Sequence, residues 1–352
     1  MQKVTFLTGS IPPKTGGELY NLKLYSYLDR AGVEVEAIDL YKIRYLLRLA
    51  RIPLLGPIVV NLCLAILAFG RSDRLLVFDQ YFGEYLVALN AIHRYIHRGH
   101  ILAIVHHFER YECNSQHSIW TAYFAIVEQL KLSSANHIIT NSRYCQQEIM
   151  SLGFSQDSIS ILPPGLEEKF RQSVTVEKER DRQQLSILCV AHCIPRKGIR
   201  ELVNAASMLG DGHRYVLNIV GETNKDTAYY RSICNIVKRE KLGESIIFHG
   251  RTDDATLEHL YQQADIFVLP SYKEGFGIVL LEAMHYGLPI VTTNISAIPE
   301  LVRDGETGLL VSPGSSRELA TALAMLIDHP GIRKDLGQAS RKQLLQNYSW
   351  EK

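Results

Sequence analysis

The chain has 352 residues, too many for one ordinary small domain, and 46% of them are hydrophobic, which is typical of a well-packed α/β protein. Its 38 basic and 37 acidic side chains nearly cancel. This balance argues against nucleic-acid binding driven by overall charge, so any basic surface must be local.

The first half of the chain alternates short apolar runs, which predict strands, with amphipathic stretches, which predict helices. The predicted strands are 4–8, 33–39, 75–78, 101–105, 137–140 and 159–162. The alternation restarts in the second half, with predicted strands at 186–191, 216–221, 246–250, 266–269 and 290–293. The sequence thus predicts an α/β fold of two Rossmann-like domains that face each other across a ligand-binding cleft.

The domain boundaries follow from a change in composition. Residues 167–184 are polar and dense in charge, which is typical of a linker. We therefore assign 1–168 to an N-terminal Rossmann-like domain, 169–184 to the linker and 185–340 to a C-terminal Rossmann-like domain. Residues 341–352 are assigned to a C-terminal tail.

A basic segment in the first domain suggests a membrane surface as partner. Residues 40–72 contain no acidic side chain and five basic ones, namely Lys42, Arg44, Arg48, Arg51 and Arg71. The apolar run 52–69 contains two prolines and a glycine, which make it a poor membrane span. A basic amphipathic segment beside an apolar one suits a helix lying on an anionic membrane, and His93, Arg94, His97 and Arg98 form a second basic patch. A buried helix with an ordinary solvated face is the alternative.

Six cysteines show no Cys-x-x-Cys pair, and no apolar signal peptide follows Met1. This pattern predicts reduced thiols in a cytosolic protein. His192 lies beside Cys189 and Cys193, but Cys189 falls within a predicted strand, so packing is favoured over metal binding.

The second domain contains a cationic turn and few of the usual phosphate-binding motifs. Arg196 and Lys197 precede a glycine at the end of its first predicted strand, where they could neutralise a diphosphate leaving group without a metal. No Gly-x-Gly-x-x-Gly follows the first strand of the chain, and no Walker loop or Asp-x-Asp triplet is present. A dinucleotide dehydrogenase is therefore disfavoured, and metal-dependent phosphate chemistry lacks its simplest ligands.

The stretch 271–287 is the most informative part of the chain. Glu274 and Glu282 lie eight positions apart, and a Gly-Phe-Gly turn between them opens a predicted helix. Gly275 and Gly277 allow close backbone approach, and the first amides of the helix suit an anion. A half-buried carboxylate at Glu282 needs partners, which ligand hydroxyls could supply. The alternative is a solvated Glu274 and a Glu282 that pairs within its helix.

Together these motifs resemble the retaining nucleotide-sugar glycosyltransferases of the GT-B fold, in glycosyltransferase family four, also called group one. The hallmark of that family is two glutamates separated by seven residues, which Glu274 and Glu282 match. Similar stretches extend over nearly the whole chain, namely Gly16-Gly17, 135–144, 162–165, 196–198 and 304–311.

The resemblance implies a role for each matching residue. Glu282 would hold the ribose hydroxyls, Glu274 would bind hydroxyls of the donor sugar, and Arg196 with Lys197 would bind the diphosphate. The backbones of Gly16, Gly17, Gly275, Phe276, Gly277 and Ile278 would complete the donor pocket. His106 would contact the sugar and join Glu274, Arg196 and Lys197 as a catalytic residue, although the adjacent His107 leaves that choice open.

The resemblance also implies a reaction. A hexose would pass, with retention of configuration and without metal or cofactor, from a UDP-, GDP- or ADP-sugar to a hydroxyl of a lipid-linked, glycolipid or polysaccharide-precursor acceptor. The resemblance makes 1–168 the acceptor-side domain and 185–340 the nucleotide-sugar-binding domain. The basic segment 40–72 would place the enzyme on the cytoplasmic face of a membrane. At 341–352 either the crossover helix of the family is shortened or the chain is incomplete. A sugar-nucleotide epimerase and a noncatalytic nucleotide-sugar-binding protein of the same fold are the alternatives. Nothing marks the cofactor lysine that a glycogen-type phosphorylase needs.

Overall fold

The computed structural model describes residues 3–8, 16–39, 75–79, 93–94, 99–108, 126, 129–130, 132–166, 184–210, 213–224 and 227–348. The chain divides into two compact units, Met1–Pro163 and Pro164–Lys352. Leu166 already packs in the core of the second unit, and its backbone N–H donates to the carbonyl oxygen of Tyr348. The division thus falls at Pro163, whereas the sequence analysis ended the first domain at 168. The predicted linker 169–184 lies outside the described residues except for Gln184.

The first unit contains a six-stranded sheet in which every strand pairs in parallel with its neighbours. Its strands are β1 (Lys3–Thr8), β2 (Glu34–Asp39), β3 (Leu75–Asp79), β4 (His100–Val105), β5 (His137–Thr140) and β6 (Ile159–Ile161), arranged in the order β2-β1-β3-β4-β5-β6. Its described helices include α1 (Gly16–Arg30) and α2 (Arg143–Ser151).

The second unit repeats this architecture. Its parallel strands are β7 (Leu185–Val190), β8 (Tyr215–Val220), β9 (Ile246–Gly250), β10 (Ile266–Leu269), β11 (Ile290–Thr293) and β12 (Leu309–Val311), in the order β12-β11-β10-β7-β8-β9. Its described helices are α3 (Ile199–Met208), α4 (Ala228–Arg239), α5 (Asp254–Gln263), α6 (Ile278–His285), α7 (Ile298–Leu301), α8 (Ser316–Asp328) and α9 (Pro330–Asn347). The predicted tail 341–352 therefore begins inside α9.

The local sequence explains why these elements form. All four residues of β10 and of β11 are buried, as expected for strands of a parallel sheet covered on both faces. Fully burying each large aliphatic side chain contributes about 1.5–3 kcal/mol. Polar residues cap several helices, because the side chains of Ser142, Thr227 and Asp253 accept hydrogen bonds from backbone amides in the first turns of α2, α4 and α5.

Strand prediction from the sequence was accurate. Each of the eleven predicted strands is present, and its ends agree with the prediction to within one residue. The short strand β12 was not predicted, because it has only three residues and two of them are half-buried. The predicted α/β fold of two Rossmann-like units is confirmed.

The order of strands fixes where a ligand site should lie in each unit. In the second sheet β7 lies between β8 and β10. The strands β8 and β9, which follow β7 in the chain, lie on one side of it, and β10 to β12 lie on the other side. In the first sheet β1 lies in the same way between β2 and β3. Open α/β sheets bind ligands at the carboxyl ends of the strands at such a reversal. A ligand is therefore expected at the loops after β7 and β10 in the second unit and at the carboxyl ends of β1 and β3 in the first.

The predicted membrane segment 40–72 lies outside the described residues, as do His97 and Arg98 of the second basic patch. Across the parts of the chain that the structure does describe, no helix combines the length and the apolar character that crossing a membrane requires. The proposed surface association therefore stays a prediction.

Candidate active site

Two loops of the second unit meet at the carboxyl ends of β7 and β10. The turn Pro195–Lys197 follows β7, and the backbone N–H of Tyr272, after β10, donates to the carbonyl oxygen of Arg196 at 2.8 Å. Gly198 has a φ of 66°, and a Cβ at this position would lie 2.0 Å from the carbonyl oxygen of Pro270. Only glycine fits here, so the two loops approach through their backbones.

Glu274 is the centre of the cluster that these loops form. Its side chain is only 7% exposed, and its Oε1 lies 2.5 Å from Nζ of Lys197 and accepts a hydrogen bond from the Ser271 hydroxyl at 2.6 Å. Burial alone would raise the pKa of Glu274, but the positive charges of Lys197 and Arg196, with the hydrogen bonds from Lys197 and Ser271, hold it below its ordinary value. Glu274 is therefore a buried, ionised carboxylate.

Arg196 completes the cluster from the other side. Its Nη1 donates to the carbonyl oxygen of Lys273 at 2.9 Å and lies 3.9 Å from Oε2 of Glu274. Arg196, Lys197 and Glu274 together carry one net positive charge, and both cations are half-buried, so their field is weakly screened. Such a group can bind an anion through charge-assisted hydrogen bonds while its carboxylate accepts hydrogen bonds from hydroxyl groups.

The Gly-Phe-Gly turn leads from this cluster into α6. Gly277 caps the helix with a φ of 93°, which favours glycine, and Ile278 is the first helical residue. Phe276 is buried and its ring meets the edge of Tyr348, with 5.9 Å between the ring centroids. The amino end of α6, whose first amides lack intrahelical partners, thus lies in the same loop as Glu274.

Glu282 lies within α6, and the structure gives it a partner that the sequence did not suggest. Its Oε2 accepts a hydrogen bond of 2.7 Å from the hydroxyl of Tyr261, a fully buried residue of α5. Tyr261 is stacked on Tyr286, with ring centroids 5.2 Å apart. Burial, and then the negative charge of Glu282, raise the pKa of Tyr261, so its hydroxyl stays protonated and keeps donating.

In the first unit, the predicted donor-binding residues Gly16 and Gly17 are the first two residues of α1. His106 follows β4 and is buried among polar groups, with its Nε2 3.1 Å from Oδ1 of Asn21 and 3.5 Å from Oδ2 of Asp79. The adjacent His107 is also buried. The structure thus gives His106 two polar partners, one on α1 and one at the end of β3.

Sequence reasoning did not single out Ser271, Tyr261, Asn21 or Asp79, whose side chains contact those of Glu274, Glu282 and His106. Asp79 carried a detectable signal, because an acidic residue directly after a buried strand lies at the ligand-binding edge of a parallel sheet. The others are ordinary polar residues on helices or loops. Within the described residues, no group of three or more His, Cys, Asp or Glu side chains is arranged to hold a metal ion.

The second unit matches a known family. The sequence profile of the glycosyl transferases group 1 family matches residues 171–343. An uncharacterized glycosyltransferase of Methanocaldococcus jannaschii is 27% identical over 262 residues, which cover 70% of this chain and 65% of that protein. Alignments with this and two further curated relatives span about half to two thirds of those proteins' own lengths.

Solved structures share the whole fold. Sucrose-phosphate synthase from Thermosynechococcus elongatus superposes with a TM-score of 0.78 at 20% identity, covering 100% of this chain and 96% of that one. HepE of Anabaena, solved in complex with UDP and glucose, superposes with a TM-score of 0.76 at 20% identity, covering 99% and 96%. At this identity the likeness concerns the fold alone. Residues 171–343 thus match the glycosyl transferases group 1 family, and the chain as a whole has the two-domain α/β architecture of the GT-B fold.

Proposed function

We propose that this protein is a retaining hexosyltransferase that takes a hexose from a nucleoside-diphosphate sugar and transfers it to a hydroxyl group. The observation that carries the proposal is the cluster that the half-buried Lys197 and Arg196 form with the buried Glu274, where β7 lies next to β10. One cluster offers both cations for a diphosphate and a carboxylate for sugar hydroxyls. HepE, which has the same fold, was solved with UDP and glucose.

The chemistry follows from where negative charge develops. As the bond between the sugar and the diphosphate breaks, charge builds up on the leaving diphosphate, and Lys197 and Arg196 stabilise it without a metal. The resemblance implies that the acceptor attacks the same face of the sugar and that the leaving diphosphate helps to take its proton, so no protein nucleophile is assigned. Glu282 holds the ribose, Glu274 binds the sugar, and His106 of the first unit serves the same reaction.

A donor panel tests this function. The full chain is incubated with UDP-, GDP- and ADP-hexoses, with and without a membrane extract as the source of acceptor. We expect release of nucleoside diphosphate and an acceptor-bound hexose from at least one donor, with the donor's anomeric configuration retained in the NMR spectrum of the product. Isomerised donor would identify an epimerase instead. Donor binding without turnover would identify a noncatalytic binding protein.

The acceptor class rests on the basic segment 40–72. Its five basic side chains and its neighbouring apolar run favour contact with an anionic membrane, which would supply a lipid-linked or glycolipid acceptor. We expect the chain to sediment with vesicles that contain anionic phospholipid and to stay in the supernatant with neutral ones. Replacing Arg44, Arg48 and Arg51 by glutamate should abolish sedimentation. Equal sedimentation of the triple variant would contradict this assignment.

A further inference from the structure

A second polar cluster joins the first turn of α3 to the loop that carries Glu274. At its centre is Glu201, which is only 7% exposed although it is a carboxylate. Its Oε1 accepts hydrogen bonds of 3.2 and 3.1 Å from Nε and Nη2 of Arg200, the residue before it. A buried carboxylate is costly unless hydrogen bonds and opposite charge compensate it, so each group around Glu201 matters.

Tyr272 reaches this carboxylate from the loop after β10. Burial, and then the negative charge of Glu201 and a hydrogen bond to it, raise the pKa of Tyr272, so its hydroxyl stays protonated and donates. The positive charge of Arg200 and a hydrogen bond from it act in the opposite direction. A Cβ on Gly314 would lie 3.1 Å from the same hydroxyl oxygen. The hydroxyl of Tyr272 therefore has neighbours in α3 and in the segment before α8.

The backbone of Tyr272 belongs to the candidate active site. Its N–H donates to the carbonyl oxygen of Arg196 at 2.8 Å, and Nη1 of Arg196 donates to the carbonyl oxygen of Lys273 at 2.9 Å. The loop that carries Glu274 and the turn that carries Arg196 and Lys197 are thus joined at residues 272 and 273. A shift of Tyr272 would therefore move the backbone that positions Glu274 against the two cations.

The first turn of α3 has a position that does not depend on this loop. The residues Ile199 and Leu202 are fully buried in the core of the second unit. The backbone N–H of Arg200, which has no partner within the first turn of its helix, donates to the hydroxyl of Tyr229 on α4 at 3.1 Å. Glu201 thus offers the loop after β10 an acceptor that is fixed by the packing of two helices.

We propose that Glu201 is a positioning residue for sugar transfer, which acts through the Tyr272 hydroxyl to hold the loop 271–274 so that Glu274 stays beside its two cations. Arg200 compensates the charge of the buried carboxylate. The proposal rests on the proposed function, in which that loop and the adjacent cationic turn bind the donor. All of the groups involved lie in the second unit.

The pairing of Glu274 can be measured without any substrate. The full chain is labelled with 13C at the carboxyl carbon of glutamate, and the chemical shifts are followed as the pH is lowered. The Glu274 signal is the one missing from Glu274→Gln. In the wild type its pKa should lie below the ordinary value, because the charges of Lys197 and Arg196 outweigh burial.

Tyr272→Phe keeps the ring and removes only the hydroxyl. If that hydroxyl holds the loop, its loss lets Glu274 move away from Lys197 and Arg196, and we expect the pKa of Glu274 to rise. A pKa of Glu274 that is the same in Tyr272→Phe as in the wild type would overturn the proposal.

Variants of Glu201 separate the hydrogen bond from the bulk of the side chain. Glu201→Gln keeps an acceptor oxygen for the Tyr272 hydroxyl, whereas Glu201→Leu fills a similar space without one. We expect Glu201→Leu to raise the pKa of Glu274 and to lower kcat/KM for the donor by about tenfold. Glu201→Gln should retain most of both wild-type values. Equal losses in the two variants would count against the proposal.

A matched tyrosine provides the control. The hydroxyl of Tyr215 donates to the carbonyl oxygen of Ala206, in the last turn of the same helix, at 2.9 Å. Tyr215 is 4% exposed and Tyr272 is 38% exposed, so Tyr215→Phe should lower the urea midpoint of unfolding at least as much as Tyr272→Phe. It should leave the pKa of Glu274 and the donor kcat/KM unchanged. An equal rise of that pKa in Tyr215→Phe would refute the proposal, because general loosening of α3 would then explain it.

Two outcomes distinguish the positioning step from the proposed function. A wild-type chain that transfers no hexose, with a pKa of Glu274 that rises in Tyr272→Phe but not in Tyr215→Phe, would refute the function and support the positioning of Glu274. Transfer by the wild type, with the same pKa of Glu274 in Tyr272→Phe, would refute the positioning step and support the function.

Discussion

Replacing Lys197 should show how much the ion pair between Lys197 and Glu274 contributes to the stability of the second unit. The side chains of Lys197 and Glu274 are only 15% and 7% exposed, and their charged atoms lie 2.5 Å apart. Breaking a buried ion pair by removing one partner costs about 3–5 kcal/mol, because the other charge stays buried. Arg196 at 3.9 Å and the Ser271 hydroxyl at 2.6 Å still stabilise Glu274, so for Lys197→Met we expect the lower end, about 3 kcal/mol.

A double-mutant cycle isolates the interaction. Glu274→Gln removes the charge that Lys197→Met leaves behind, so the double variant should recover about 1.5–3 kcal/mol relative to the sum of the single variants. The assay is hydrogen exchange, read by mass spectrometry on peptides from β7 and β10, which reports the opening of the second unit alone. The control is Arg239→Met, which removes an exposed ion pair with Glu240 and should cost less than about 0.5 kcal/mol.

The pH dependence of the same variants gives a second check. In the wild type the pKa of Glu274 is lowered, so the stability that its charge contributes is present above the pKa of the unfolded chain and is lost as the pH falls through the folded-state pKa. Without Lys197, burial should raise the pKa of Glu274. Protonation of Glu274 then removes the free-energy cost of a buried carboxylate that has lost its partner. The stability that Lys197→Met loses relative to the wild type should therefore be smaller at pH 5 than at pH 7. Strict additivity in the cycle, or a deficit independent of pH, would refute the reasoning.

Three further predictions concern neighbouring residues. Tyr261→Phe keeps the ring stack but removes the hydrogen bond to Glu282, so the donor KM should rise about tenfold while kcat changes little; an unchanged KM would contradict a ribose contact through Glu282. Gly198→Ala places a Cβ 2.0 Å from a backbone carbonyl oxygen, so it should lower the free energy of unfolding, measured by urea titration, by about 2 kcal/mol or more. The control is Gly210→Ala, which has a similar φ but open space around it and should cost about 1 kcal/mol. Equal losses in the two variants would refute the close approach of the loops at Gly198. Burial lowers the pKa of His285 to about 4, so stability should be constant above the ordinary histidine pKa and fall as the pH drops from there towards 4. In His285→Gln the urea midpoint of unfolding should change less with pH over this range. An unchanged pH dependence would show that other groups cause the loss of stability in acid.

The strands could be predicted from the sequence because parallel strands that are buried on both faces are continuous apolar runs. Runs such as 266–269 and 290–293 are continuously apolar and end in turn-forming residues, so both their positions and their ends could be predicted. Strand β12 has too few buried residues to form such an apolar run. The sequence also pointed to the loops after β7 and β10, because motifs at strand ends reach the same edge of a parallel sheet.

The contacts within the site could not be read from the sequence. Lys197 and Glu274 are 77 positions apart, and their pairing depends on β10 lying beside β7 rather than beside β9. The position of Asp79 at a strand end could be predicted, but its contacts with Asn21 of α1 and with His106 after β4 could not. Tyr261 lies in a polar helix, and only the packing of α5 against the sheet shows that it is fully buried. Sequence patterns give the elements, whereas pairing between distant residues needs the topology.

The most direct test of the account is a crystal structure of the full chain with the nucleoside diphosphate that it releases during turnover. We expect the diphosphate within hydrogen-bonding distance of Arg196 or Lys197 and the ribose hydroxyls at Glu282. A diphosphate bound elsewhere, with Lys197 and Glu274 still paired and untouched, would contradict the central claim.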